Sequence, residues 1–334
     1  MRKVTIGFAL FVILAVAAYL RFHHPKPPSE FAYAGNRQVT LYSTTAQVRE
    51  PVATVSFGER LDVLQRFQDE VEVRAENGAT GWVSERELLS SELWEQARQL
   101  AIKAATMPVE ARGHTRVLGN LHVEPGRETP RVRQLSKDIP IDLIAREPVE
   151  VQTTNHSASE EETSAGTSQA KKEDWWLIVA HTPEQGPVAG WLLGRFLELD
   201  VPAPLPDYAS AAGTRIVAWF ELNRVKDLAG NPKPQYLLVG ARGPEGQACD
   251  FTQLRVYTYG IKRDRYETAF VDSHFCGKLP VAITRAPTAA NDIVFSFEDL
   301  SNITPEQRVY RMQQTMVRRV RLGEPAKSRK HAHH

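Results

Sequence analysis

The residues able to do covalent or metal chemistry are few, and their spacing gathers none of them into a known arrangement. The 334-residue chain holds two cysteines and ten histidines. A cysteine-based zinc module needs three or four thiolates, so Cys249 and Cys276 alone exclude one. His114, His122, His156, His181 and His274 are scattered, without the HExxH spacing that sets two ligands on one helix face. His331, His333 and His334 sit in the C-terminal tail. His274 is two residues from Cys276. An i, i+2 pair in a strand shares a face at a distance too long for a strong hydrogen bond, so a Cys/His nucleophile is not expected. Asp264, Glu267 and Asp272 fall near strand ends, where carboxylates are solvated. No glycine-rich loop of the P-loop type is present. These observations lead to the expectation of no enzyme, no cofactor and no metal.

The elements that must position any other site read as short strands, twice in the same order. From Val39 to Leu89 apolar residues alternate, with Leu61, Val63 and Phe67 on a period of two and Val71 and Val73 following. Gly58 and Asn77-Gly78 supply turns. The stretch closes on Gly81-Trp82-Val83 and Leu88. A second stretch opens with Leu121-His122-Val123-Glu124-Pro125-Gly126. In it Ile141-Asp142-Leu143-Ile144 answers Leu61-Asp62-Val63-Leu64, and Gly190-Trp191-Leu192 with Phe196-Leu197 closes it.

At these residues the chain resembles the bacterial SH3-like (SH3b) domain family. That family opens on a Leu-Asn-Val-Arg-x-Gly-Pro type segment and closes on Gly-Trp-Val followed by an aromatic-Leu or Leu-Leu pair. The second copy departs from the opening at His122 and Glu124; the first has Leu41-Tyr42-Ser43-Thr44-Thr45 in its place. Both keep the closing motif, and the match covers about half of the chain. The resemblance implies small, strongly bent barrels that bind peptides or cell-wall material without catalysis. It also implies a ligand groove lined by aromatics, with Tyr42 and Trp82 as candidates in the first copy and Trp175, Trp176 and Trp191 in the second. At least one Trp of each copy is expected in a core. Trp175 and Trp176 point to opposite strand faces, so only one of them fits the core of a small barrel, and the other is either part of the groove or cover for the C-terminal domain.

Domain boundaries follow from composition. Residues 25–37 are a Pro-rich spacer, 38–90 the first SH3-like domain and 91–107 a linking helix capped by Ser90 or Ser91 and ended by Pro108. Residues 113–200 form the second SH3-like domain. Its polar segment 153–174 has too few apolar side chains to offset ordering entropy and is expected to be a disordered insertion. A Pro-rich linker, 201–213, leads to an antiparallel β domain, 214–322, with six apolar runs and a closing run Arg308–Arg321 read as one strand. A basic, His-bearing tail, 323–334, ends the chain. The C-terminal β domain resembles an uncharacterised domain of exported bacterial proteins. The fold class is therefore mainly β, with two small barrels joined by a helix and a third β domain.

Location rests on the first 24 residues. Met1-Arg2-Lys3 precedes the uncharged run Val4–Leu20, about 17 residues and at the low end of a bilayer span. A signal anchor follows, with the N-terminus in the cytoplasm and the bulk outside. The alternative is a cleaved signal peptide, since Ala15-Val16-Ala17 has the small-x-small form. In an oxidising compartment Cys249 and Cys276 most simply pair, closing a loop of about 27 residues worth roughly 3 kcal/mol in the chain-entropy model. Two buried free thiols are the alternative. A net charge of +1 excludes a strongly basic nucleic-acid binder. Locally, eight basic residues from Arg308 to Lys330 face only Glu324, a patch that would attract anionic lipid or wall polymer. The expected function is a non-catalytic, envelope-anchored protein recognising peptide or peptidoglycan through its paired domains. The alternative is a structural or sensor subunit of an envelope protein complex.

Overall fold

The computed structural model describes residues 30–151, 171–182, 186–285 and 292–320. They form two compact units, Met1–Trp94 and Glu95–His334. All sheets are antiparallel, and the chain is mainly β as expected.

The first unit is one seven-stranded sheet: β1 (Phe31–Ala34), β2 (Gln38–Tyr42), β3 (Pro51–Ser56), β4 (Arg60–Phe67), β5 (Glu70–Arg74), β6 (Thr80–Ser84) and β7 (Leu88–Ser90). Their order across the sheet is β3-β2-β6-β5-β4-β1-β7. Alternation does what the sequence pattern requires: Val39, Leu41, Leu61, Val63, Val71, Val73 and Val83 share one core with Ala32 and Ala34. The outer face receives the residues between them.

The second sheet repeats that order seven strands later. It comprises β8 (Ala111–Thr115), β9 (Gly119–His122), β10 (Arg131–Leu135), β11 (Pro140–Glu150), β12 (Lys172–Thr182), β13 (Gly186–Leu193) and β14 (Leu197–Leu199), ordered β10-β9-β13-β12-β11-β8-β14. Neither sheet closes into the barrel expected of it; each keeps two edges. The Gly-Trp motif marks where the second strand of each copy meets the sixth through a single pair, Tyr42↔Trp82 in one and His122↔Trp191 in the other. A Cβ on Gly81 would lie 2.9 Å from both Leu41 Cβ and the Tyr42 carbonyl, and one on Gly190 2.4 Å from Leu121 Cγ. Only glycine lets the strands approach that closely.

Between the copies runs α1 (Ser91–Ala105), whose Leu93 N–H donates to the Ser90 hydroxyl at 3.1 Å, the cap expected. The bulk of the polar segment 153–174 lies outside the described residues. Its last three residues do not behave as an insertion: Lys172, Glu173 and Asp174 open β12, and Asp174 is buried. Its carboxylate is held there by Arg146, as described below.

The linker 201–213 contains a short helix, α2 (Leu205–Ala211), with proline in its first turn. After it come two four-stranded meanders. The first is β15 (Arg215–Lys226), β16 (Pro232–Ala241), β17 (Gln253–Gly260) and β18 (Arg265–Asp272). The second is β19 (Gly277–Arg285), β20 (Ile293–Asp299), β21 (Glu306–Gln313) and β22 (Met316–Val320). The closing run is thus two strands, reversed at Gln314, whose φ is +55°. The alternating pattern persisted through the turn because Gln314 and Thr315 are polar and leave no composition break. The second sheet and both meanders share one apolar core, from Leu121 and Trp176 through Leu237 to Phe295 and Tyr310.

The expected N-terminal anchor, residues 4–20, lies outside the described residues. Among the described residues no helix is long and apolar enough to cross a membrane. The single-pass location expected from the apolar run is corrected to that extent: no helix among the described residues supports it.

Candidate functional site

Across the outer face of the first sheet the register sets four residues in one row, Tyr42, Trp82, Glu72 and Gln65. They occupy β2, β6, β5 and β4, and each falls on the parity opposite the core residues of its strand, Gln65 after a register shift. Directly opposed cross-strand side chains have their Cβ atoms about 5 Å apart, so this is one contiguous surface. Tyr42, Trp82 and Glu72 are part-exposed. The Arg49 guanidinium lies 4.0 Å from the centre of the Tyr42 ring, and its Nη1 donates to Glu70 Oε1 at 3.1 Å. Gln65 Nε2 donates to Glu72 Oε2 at 2.7 Å. The only Trp of the first copy's strands is therefore outside the core, contrary to expectation. Valine, leucine and alanine fill so small a core.

The corresponding row of the second sheet is His122, Trp191 and Leu177. Here the outer face is covered. Trp191 packs with Ile144, Leu177 and Ala189 against Leu100, Ala101 and Ala104 of α1. His122 is buried, its Nδ1 2.8 Å from the Thr129 carbonyl, and burial pulls its pKa down, with the Thr129 carbonyl opposing and Arg131 adding. Trp175 stands edge-on to it at 5.3 Å.

Of the five candidate aromatics, the structure thus brings together Tyr42 and Trp82, and separately Trp191 with Trp175 around His122. Trp175 and Trp176 do point to opposite faces, but both are buried, at 3% and 4% exposure. Trp176 enters the core shared with the C-terminal sheets. Both faces of the second sheet are occupied, and neither tryptophan lines a groove.

The chemistry-bearing residues resolve into pairs. Cys249 and Cys276 form a disulfide, so neither is a thiol nucleophile. His114 Nδ1 lies 2.9 Å from Asp200, and His181 Nε2 2.8 Å from Asp142. Among the described residues no group of three or more His, Cys, Asp or Glu could hold a metal. Asp272 accepts the Tyr310 hydroxyl at 2.8 Å. The basic C-terminal patch is smaller than expected, because Arg308 is buried on Asp299 at 2.5 Å. A cavity of 740 Å³ lies between Lys171–Glu173, Leu193 and Arg195 on one side and Pro244–Ala248 on the other, with charges of both signs.

Two buried groups escaped sequence reasoning. Arg146 donates to Asp174 at 2.6 Å, to Asp250 at 2.8 Å and to the Gln247 carbonyl at 2.8 Å. Desolvation opposes its charge, and the two carboxylates outweigh that and raise its pKa. Lys278 Nζ and the Leu279 N–H complete the shell of Asp250. Glu110, 2% exposed, accepts the Val281 N–H at 3.1 Å. Burial pushes its carboxyl up to about 7, with the Val281 N–H opposing and the charge of Asp250 adding. Partners 28 to 171 residues apart leave no local signal. The Glu72 face could have been found, since Glu70, Glu72 and Arg74 alternate strictly with Val71 and Val73.

No family model matches the chain, and no curated protein does. The SH3-like resemblance thus has no match to confirm it. Solved structures do match. An NlpC/P60 family protein from Bacillus cereus is similar over 73% of this chain and 94% of its own, at 11% identity and a TM-score of 0.21. NlpC2 from Trichomonas vaginalis is similar over 84% and 91%, at 9% identity and a TM-score of 0.18. NlpC1 from the same organism is similar over 83% and 90%, at 11% and 0.17. The expectation of a non-catalytic, envelope-anchored binding protein, and with it the flat exclusion of an enzyme, is corrected by these neighbours, which carry the NlpC/P60 name. At such TM-scores they carry no activity to this chain.

Proposed function

We propose that the first seven-stranded sheet, as an SH3-like module, captures an extended peptide on its outer face, while the second serves as the support of the C-terminal sheets. The single observation behind this reading is the contrast between the two copies at one position. Trp191 is flanked by Leu177 and packs against α1, whereas Trp82 is flanked by Glu72 and lies outside the core of its sheet, both rings being part-exposed. Aromatic rings interleaved with hydrogen-bonding groups are what extended chains are gripped by. In the second copy the corresponding row holds Leu177 and packs against α1, so it lacks the carboxylate that flanks the ring in the first. Tandem recognition and a membrane anchor therefore form no part of the proposal.

A panel of immobilised unstructured peptides incubated with the full chain tests it. Peptides that bind should lose affinity about tenfold or more on Trp82→Ala, in line with removal of an aromatic anchor. Phe67→Ala, at an exposed position of the same sheet, should leave binding unchanged. Hits indifferent to Trp82→Ala, or no hits at all, overturn the proposal.

A further inference from the structure

We infer that Trp82 and Glu72 form a subsite for a primary ammonium group, so that the peptide captured on the first sheet presents a lysine-type side chain. The inference rests on the peptide-capture reading above and adds the chemistry of one contact. The neighbouring part of the same face supplies the template. There an aromatic ring, Tyr42, a cation, Arg49, and a carboxylate, Glu70, form a complete triplet, with the guanidinium 4.0 Å from the ring centre and 3.1 Å from the carboxylate. Trp82 and Glu72, directly opposed across β6 and β5, repeat the ring and the carboxylate. The third member is what a ligand would bring. Trp is the strongest cation acceptor among the aromatic residues, and a carboxylate beside the ring adds a Coulomb term of the same sign.

The charge pattern selects a cation over other ligands. Among the described residues no lysine or arginine forms a salt bridge with Glu72; its recorded partner is the neutral amide of Gln65. An anionic ligand would meet Glu72 head-on, and a purely apolar one would bury its charge unpaired. The geometry also favours an ammonium over a guanidinium. Gln65 already donates to Oε2 of Glu72, so the two oxygens are not equally open to the parallel fork that arginine prefers. A compact ammonium needs one oxygen and the ring face. In the second copy Leu177 replaces Glu72 beside Trp191, which packs against α1, so the subsite belongs to the first copy alone.

The test uses the full chain labelled with ¹⁵N and follows the Trp82 indole N–H, assigned through Trp82→Phe. The probe is the peptide Gly-Lys-Gly-Lys-Gly, with its Nε-acetylated form and its arginine form as comparisons, at 150 mM salt (roughly an 8 Å screening length). The lysine peptide should shift the Trp82 signal, and acetylation should weaken binding at least tenfold. Glu72→Gln should do the same, while Glu76→Gln, an exposed carboxylate on the β5–β6 hairpin, should change affinity less than twofold. Equal binding of the acetylated peptide, with both forms lost in Trp82→Ala, would overturn the ammonium subsite and leave peptide capture standing. An arginine peptide binding as tightly as lysine, or Glu72→Gln without effect, overturns it too. No shift at Trp82 with any peptide of the larger panel removes both.

Discussion

Arg146 shows how one residue's surroundings decide its worth. Its side chain is wholly buried between Asp174 and Asp250, and both carboxylates would remain in the interior without it. Breaking one partner out of a buried ion cluster costs about 3–5 kcal/mol, far more than an exposed pair. Arg146→Ala should therefore lower unfolding stability by that amount in urea titration. Arg127→Ala should cost under about 1 kcal/mol, because Arg127 is exposed and its partner Glu173 keeps Arg195 at 3.7 Å. Glu110 gives a pH signature of definite sign. Its carboxyl titrates at about 7 in the folded chain against an ordinary value near 4.5, so the folded state holds the proton more tightly. Stability from this group is complete below the unfolded value and is lost as pH rises from there through about 7. Glu110→Gln should then be more stable than the parent at pH 8, by up to about 3 kcal/mol, with the gap closing toward pH 5. A gap that does not narrow on acidification would refute the assignment. Neither group was legible beforehand: a lone Arg and a lone Glu carry no pattern until the fold brings their partners in.

Elements, by contrast, were largely legible. The period of two placed Val71 and Val73 inward and Glu70 and Glu72 outward, and the structure follows it. The Gly-Trp motif was visible as a repeat, but its reason was not. Gly81 and Gly190 mark a close crossing between strands distant in sequence. Gly190→Ala would press a methyl group on Leu121 and the His122 carbonyl, and Gly81→Ala on Leu41 and the Tyr42 carbonyl. Overpacking of this kind costs about 1–3 kcal/mol. Both substitutions should lower thermal midpoints, with Gly190→Ala the worse because its contact is 2.4 Å rather than 2.9 Å. Gly78→Ala has open space, so its cost should be confined to backbone strain at φ +86°. Element ends were harder to read. Composition places Lys172–Asp174 in the polar segment, yet they pair with Pro148–Glu150 as ordinary strand.

In the second unit, one core runs from the second sheet into both meanders, and the disulfide sits at its edge. Cys249 lies in the loop that sends the Gln247 carbonyl and Asp250 to Arg146; Cys276 directly precedes β19, where Leu279 N–H donates to Asp250. Replacing both cysteines by serine should cost about 3 kcal/mol. Amide exchange should accelerate first at Leu279 and Phe251, ahead of β20 and β21. Uniform acceleration throughout the unit would show that the bridge holds no particular joint.

The sequence by itself determined the strand repeat, the helix between copies, the turn glycines and which two cysteines could pair, because each is a local pattern or a matter of arithmetic. Tertiary structure alone decided what surrounds each aromatic. Trp82 and Trp191 stand in the same motif, and what separates them is Glu72 or Leu177 across the strand and a helix packed over one of them. Burial on the second face of a sheet is set by what other elements cover it, and no window of residues along the chain records that.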